Sequence, residues 1–203
     1  MKRATLLAAA LLCATPASAG WKLVPAGTPI AVAKSSMSVR PGEAWNRSTE
    51  RPSKRGETWT LDGVALSDLS FYAAVPPGEA IFRERDKKDE PLPRVAAGML
   101  PTDIVAAVEG SYRILLRTSL FEVEEVAPAT LGGHKGVRFT YRFTTQDDEV
   151  RRRGEALAAL VGGRLYLMTF DAPAIHYFDA RIAAARAVMD SAVIPAASVE
   201  VTR

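Results

Sequence analysis

Three groups of residues in this chain have types and spacings that chemistry uses. The first is Gly132-Gly133-His134-Lys135-Gly136, a glycine-rich stretch carrying a histidine and a lysine. A P-loop needs Lys followed by Ser or Thr, then a helix whose N-terminus meets the phosphate. Here Lys135 is followed by Gly136 and an alternating run, so the helix dipole is missing. Gly133 to Gly136 also fits the Gly-x-x-Gly spacing of a loop that clamps a nucleotide backbone, but again a strand pattern follows. Glycines at a strand-to-strand corner supply positive φ at little steric cost, and a corner is the role expected here. The second group, Glu122, Glu124 and Glu125, suggests paired carboxylates. Glu122 and Glu124 share a strand face, which reads as its solvent side. A glycosidase also needs a groove with aromatic platforms, whereas Trp21, Trp45 and Trp59 are dispersed as core and anchor residues. The third group is the two histidines, His134 and His176, neither with a second His or a Cys nearby. His134 is expected to be an exposed loop residue and His176 a packing or surface residue. No Gly-x-Ser-x-Gly elbow occurs. The expectation is no catalytic residue, no metal ligand, no cofactor, and no enzyme activity.

The arginines are more informative. If the Thr144 to Glu149 tip is a symmetric hairpin, Phe143 faces Val150, Arg142 faces Arg151, Thr140 faces Arg153 and Arg138 faces Glu155. A like-charge pair across two strands costs stability unless an anion or acidic partner sits there. Arg138, Arg142, Arg151 and Arg153 are therefore the candidate partner-binding strip. The alternative is that they splay into water or pair with Asp147 and Asp148.

These residues need elements to hold them. Val137, Phe139, Tyr141 and Phe143 alternate with Arg138, Thr140 and Arg142, the period of two of a half-buried strand. "SLFEVEEVAPATL" before it and "VRRRGEALAALV" after it read as strands. Gly162-Gly163 turns the chain into "RLYLMTF", an apolar run predicted to be a central strand. Earlier, a short strand is expected around Ile30 to Ala33, and Trp45 reads as a core anchor. Glu50 to Gly56 reads as a polar loop. Asp62-Gly63 signals a two-residue hairpin turn between Thr58–Leu61 and a strand ending at Val75. Ile104, Val108, Tyr112 and Leu115 fall on one face of a helix starting near Thr102 after Pro101. Phe178, Ile182, Ala185 and Met189 form the stripe of a last helix opened by Pro173. Between about 76 and 100, four prolines and the run "RERDKKDE" (Arg83 to Glu90), whose signs roughly cancel, read as a solvated charged loop. Consecutive hairpins with two helices predict an α+β class, an antiparallel sheet with helices packed on it.

The first 19 residues read as a signal peptide: "MKR", the apolar "ATLLAAALLCA", then "ASA" at Ala17 to Ala19. Cleavage near Ala19 predicts a periplasmic protein with residues 20–203 as one domain. The alternative is a lipoprotein anchored through Cys13, although Leu12 stands where a lipobox wants a small residue. Cys13 is the single cysteine, so the released chain has no disulfide and no thiolate site. Of the 26 Lys and Arg, Lys2 and Arg3 lie in the leader; the remaining 24 face 23 Asp and Glu, which disfavours a general nucleic-acid binder.

"RPGEAWN", the hairpin and helix that follow, "TLGGHKGVRFTYRF", "GGRLYLMTFDAP" and a last helix ending in "MDSAVI" together resemble the PsbP-like and DcrB-like exported proteins. The resemblance spans roughly Val39 to Ile194. It implies an α/β/α sandwich, with an antiparallel sheet between helices, and non-enzymatic assembly, stabilisation or adaptor work at membranes. It carries no shared catalytic set. The expected function is thus a non-catalytic envelope accessory or adaptor protein whose partner is an envelope protein or membrane-associated complex. The alternatives are a periplasmic small-ligand binder and, behind it, a hydrolase. An adaptor predicts an exposed apolar or charged patch, a ligand binder an enclosed apolar cavity, and an enzyme convergent titratable groups in a cleft.

Overall fold

The alternating run organises the fold. The computed structural model describes residues 20–145 and 148–195; the segment expected to be a signal peptide, with Cys13, the Gln146-Asp147 centre of the hairpin tip and the last residues lie outside these. β8 (His134–Thr145) lies between β7 (Phe121–Leu131) and β9 (Asp148–Val161). Its Val137, Phe139, Tyr141 and Phe143 are buried, while Arg138, Thr140 and Arg142 lie on the opposite face. The glycine stretch is a corner. Leu131 pairs with His134, so the turn is Gly132 and Gly133 alone, with φ 58° and 85°. Two successive positive φ values define the tight turn that suits twisted strands. Gly132 has a second constraint: a Cβ there would lie 2.7 Å from the Ile194 amide nitrogen. His134 differs from expectation. It begins β8, half-buried, with Nε2 3.3 Å from the Ile194 carbonyl oxygen.

β10 (Arg164–Pro173) follows the Gly162-Gly163 turn and is buried throughout after Arg164, as its apolar run predicts. It pairs with β9 and with β6 (Asp68–Val75). β5 (Gly56–Thr60), β4 (Trp45–Ser48) and β1 (Trp21–Val24) complete an eight-stranded antiparallel sheet in the order β1-β4-β5-β6-β10-β9-β8-β7. β2 (Ile30–Ala31) and β3 (Ser38–Val39) form a separate short ladder. The β5–β6 hairpin exists, but its loop is longer than the two residues that Asp62-Gly63 suggests, because Trp59 pairs with Leu69. Ser67 is the reason. Its Oγ accepts from the amides of Leu61 (3.2 Å) and Asp62 (3.1 Å) and lies 3.0 Å from Thr60 Oγ1. The Gly63 carbonyl accepts from the amides of Leu66 and Ser67. A loop that satisfies its own backbone in this way competes with the tighter turn.

α1 (Pro101–Leu115) covers one face of the sheet and α2 (Tyr177–Asp190) the other. Ile104 and Val108 pack with Tyr72, Phe139, Tyr141 and Leu167 under α1. Phe178, Ala185 and Met189 pack with Trp45, Trp59, Phe71 and Phe170 under α2. The cap of α1 comes from Asp103, which accepts from the Leu100 amide at 2.8 Å, and Pro173 ends β10 rather than opening α2. The segment between β6 and α1 is solvated at Arg85 to Glu90, but Ile81, Phe82, Leu92 and Val95 are buried in the α1-side core. Each such side chain contributes roughly 1.5–3 kcal/mol on burial. The segment is therefore part of the fold as well as a charged loop, and the whole is the expected α/β/α sandwich.

Candidate functional site

The β8–β9 register decides what the arginines do. A bulge between Thr144 and Thr145 makes the hairpin end asymmetric and shifts the pairing by two residues from the symmetric frame. Arg142 faces Arg153, not Arg151; Phe143 faces Arg152, Thr140 faces Glu155 and Arg138 faces Leu157. The Arg142–Arg153 juxtaposition is compensated by carboxylates on both sides. Arg142 donates from Nε to Glu122 Oε2 (2.9 Å) and from Nη1 to Glu124 Oε1 (3.3 Å). The hydrogen bond and charge of Glu122 hold Arg142 still more firmly protonated. Arg153 meets Asp179 on α2 at 3.2 Å, with its guanidinium carbon 4.5 Å from the Phe178 ring centroid. Arg138 is held between Glu155 and Asp190. Glu155 is fully buried and also accepts from Arg186 Nε at 2.9 Å.

The four arginines therefore divide. Arg138 and Arg153 lie against α2, whereas Arg142 and Arg151 line one cleft of about 320 Å³ with Leu120, Glu122, Phe143 and Thr144. Arg151 also borders a second hollow of about 620 Å³ with Val150, Ala174 and Ile175. Backbone hydrogen bonds fix this end of the sheet, Thr144 to the Leu120 carbonyl (3.2 Å) and Ala174 to the Arg151 carbonyl (2.8 Å). Ile175 is 83% exposed and Leu120 61%. Apolar side chains around arginine are the composition of contact surfaces between proteins. The apolar members were not recognised from sequence. Their signal is a Leu and an Ile in short connections next to strand ends, where burial does not require them.

Beneath the α1 side of the same end lies a polar cluster that sequence reading also missed. Asp171 on β10 pairs across the sheet with Asp68 on β6. Arg152 donates to Asp171 Oδ1 from Nε (2.9 Å) and Nη2 (2.7 Å), and to the Ala65 carbonyl (2.7 Å). Ser70 Oγ donates to Asp68 Oδ1 at 2.6 Å and lies 2.6 Å from Thr58 Oγ1. Burial, helped by the Asp171 charge, pushes the Asp68 carboxyl up to about 7. Burial also raises Asp171, against the pull of Arg152. The phenols of Tyr72, Tyr112 and Tyr141 are pushed well up by burial, and Tyr112 and Tyr141 meet hydroxyl to hydroxyl at 3.3 Å. The signal was an aspartate opening one apolar strand, "DLSFYAAV", and another near the end of a second, "LYLMTFDAP".

No family model and no curated protein sequence matches the chain. Among solved structures it is similar to the solution structure of cyanobacterial PsbP (CyanoP) from Synechocystis sp. PCC 6803. The TM-score is 0.52 at 15% identity, over 91% of this chain and 98% of that one. The fold is PsbP-like. A second similar structure is LpqN, involved in cell envelope biogenesis of Mycobacterium tuberculosis, with TM-score 0.34 and 12% identity over 85% of this chain and 90% of that one. At such identities the PsbP-like likeness concerns the arrangement of strands and helices.

Proposed function

We propose that this PsbP-like chain is a non-catalytic accessory or adaptor protein of the cell envelope, exported by its leader. It docks a protein partner, or a protein of a membrane-associated complex, at the end of the sheet holding Arg142 and Arg151. The observation that carries this reading is the exposure of Leu120, Val150 and Ile175 around those two arginines. An exposed apolar patch with arginine at its centre is what an adaptor predicts and an enclosed ligand cavity is not. The titratable groups that converge, Asp68 and Asp171, are engaged by Ser70 and Arg152, which supports a structural role for them over hydrolysis. Arg138 and Arg153 act in this reading by bracing β8 and β9 against α2.

Photo-crosslinking in the envelope tests the reading. A crosslinker at position 120 or 175 is expected to trap one discrete partner, and one at Leu23 on β1 is not. Arg142→Glu with Arg151→Glu is expected to abolish the adduct while leaving the thermal midpoint within a few degrees. Adducts that form equally from Leu23, or that survive the double reversal, would reject this surface.

A further inference from the structure

Two irregular segments meet at the other end of the sheet. Residues 49–55 lead into β5, and residues 76–100 follow β6. Gly56 pairs with Tyr72 and Val75 with Leu165 at this end, whereas Asp68–Asp171 and Arg152–Pro173 mark the end already described. The segments are tied together. The Arg83 amide donates to the Pro52 carbonyl (3.1 Å), and Ala80 bridges to Arg94. Between them is a cleft of about 440 Å³ with five basic lining residues, Lys54, Arg55, Arg83, Lys87 and Arg94, against two acidic ones, Glu79 and Glu84.

Both carboxylates are already used. Glu79 accepts from Arg55 Nε at 3.0 Å. Glu84 accepts from Arg94 Nη2 at 2.7 Å and from the Leu92 amide at 3.4 Å, with Lys87 Nζ 4.0 Å away. Among the described residues no carboxylate pairs with exposed Lys54 or Arg83. At the wall of the cleft, Ser53 is 5% exposed, and its buried Oγ has no hydrogen-bond partner in the protein. Like charges gathered in a concave site repel unless an anion joins them.

The geometry points to this cleft as a binding site for a phosphate group carried on a larger molecule. A phosphate monoester or diphosphate brings about two negative charges and three or more acceptor oxygens, which matches the surplus of cations. A single carboxylate leaves most of that surplus unmatched. The volume belongs to the range of small-molecule sites, and Phe82 supplies an apolar wall for whatever bears the phosphate. The source is either a soluble phosphorylated compound or a phospholipid headgroup, because both present the same oxygens. This cleft shares no lining residue with the docking surface at the opposite end.

Two probes separate the sources. Pyrophosphate is titrated into the purified protein at low salt, with amide shifts and heat as readouts. Vesicles of phosphatidylcholine with and without phosphatidic acid are tested by flotation. Saturable pyrophosphate binding that moves the amides of residues 53–55 and 79–94 is expected for the soluble source. Flotation with phosphatidic acid alone, without pyrophosphate binding, assigns the lipid headgroup. In either case Lys54→Ala with Arg83→Ala is expected to weaken binding about tenfold or more, since each removes a charge-assisted contact. No binding to either probe, equal binding of acetate, or affinity unmoved by these variants would overturn the proposal.

Discussion

Asp68 and Asp171 oppose each other across β6 and β10, and the Arg152 guanidinium donates to Asp171 while Asp68 rests on the Ser70 hydroxyl. This asymmetry has a consequence for stability. The Asp68 carboxyl stands at about 7 in the fold, against about 3.9 in an unfolded chain. Between those values the folded state binds a proton that the unfolded state does not. Stability contributed by this group is complete below about pH 4 and is lost as pH rises through 7, with a slope of at most about 1.4 kcal/mol per pH unit. The urea midpoint is expected to fall between pH 5 and pH 8. Asp68→Asn is expected to flatten that fall and to be more stable than the parent at pH 8. A variant with the parent's slope would show that the pair does not titrate in this way.

Arg152→Met is expected to do the opposite and steepen the fall. It leaves two opposed carboxyls without their cation, and removing one partner from a buried pair costs about 3–5 kcal/mol. Protonation relieves that penalty, so the loss is expected to be larger at pH 8 than at pH 5. Chemical denaturation at the two pH values measures the difference. An equal loss at both would mean that Arg152 matters through packing on Phe143, 5.9 Å from its guanidinium carbon, and not through charge.

Local pattern carried much of the architecture. Alternation at 137–143, the apolar run of β10 and the two helical stripes each depend on neighbours a few residues apart, and each is found where periodicity puts it. The failures have a common cause. The β8–β9 frame depends on one bulge, where β9 carries two extra residues and every later cross-strand pair moves with them. The Asp62-Gly63 turn was displaced by Ser67, a side chain outside the dipeptide. "RERDKKDE" cancels its own charge in sequence. Once residues 53–55 lie beside it, basic side chains from the two segments share one cleft. Sites assembled across tens of residues leave no local signal. The exposed Ile175 and Leu120 likewise acquire meaning only through their neighbours in space.

Gly154 gives a packing prediction. It pairs with Tyr141, and a Cβ at position 154 would lie 2.2 Å from the Tyr141 ring. The ring cannot retreat easily, because Tyr112, Phe121, Phe139 and Phe143 surround it with centroids 5.1–6.1 Å away. Gly154→Ala is expected to cost roughly 1–3 kcal/mol through overpacking. Gly42→Ala is the control. Nothing lies within 4 Å of a Cβ there, and its φ is not positive, so it is expected to be neutral or to gain a few tenths of a kcal/mol. Thermal midpoints distinguish the two directly.

Glu155 tests how far the arginines serve the fold. Its side chain is fully buried, and Arg138 from β8 and Arg186 from α2 converge on it. Either arginine alone still compensates the carboxylate, and both have an exposed part that water can solvate, so each single Ala variant is expected to cost only about 1 kcal/mol. Removing both leaves a buried, unpaired carboxylate, with an expected loss of about 3–5 kcal/mol. The double-mutant cycle is therefore expected to be more than additive. Glu155→Gln in the double-alanine background is expected to restore part of the loss, because the buried charge is then gone. Additive singles, with no rescue by Gln, would mean that the two guanidiniums act by packing α2 on the sheet. In that case charge reversal at Arg138 would be tolerated, which the buried carboxylate otherwise makes worse than a simple truncation.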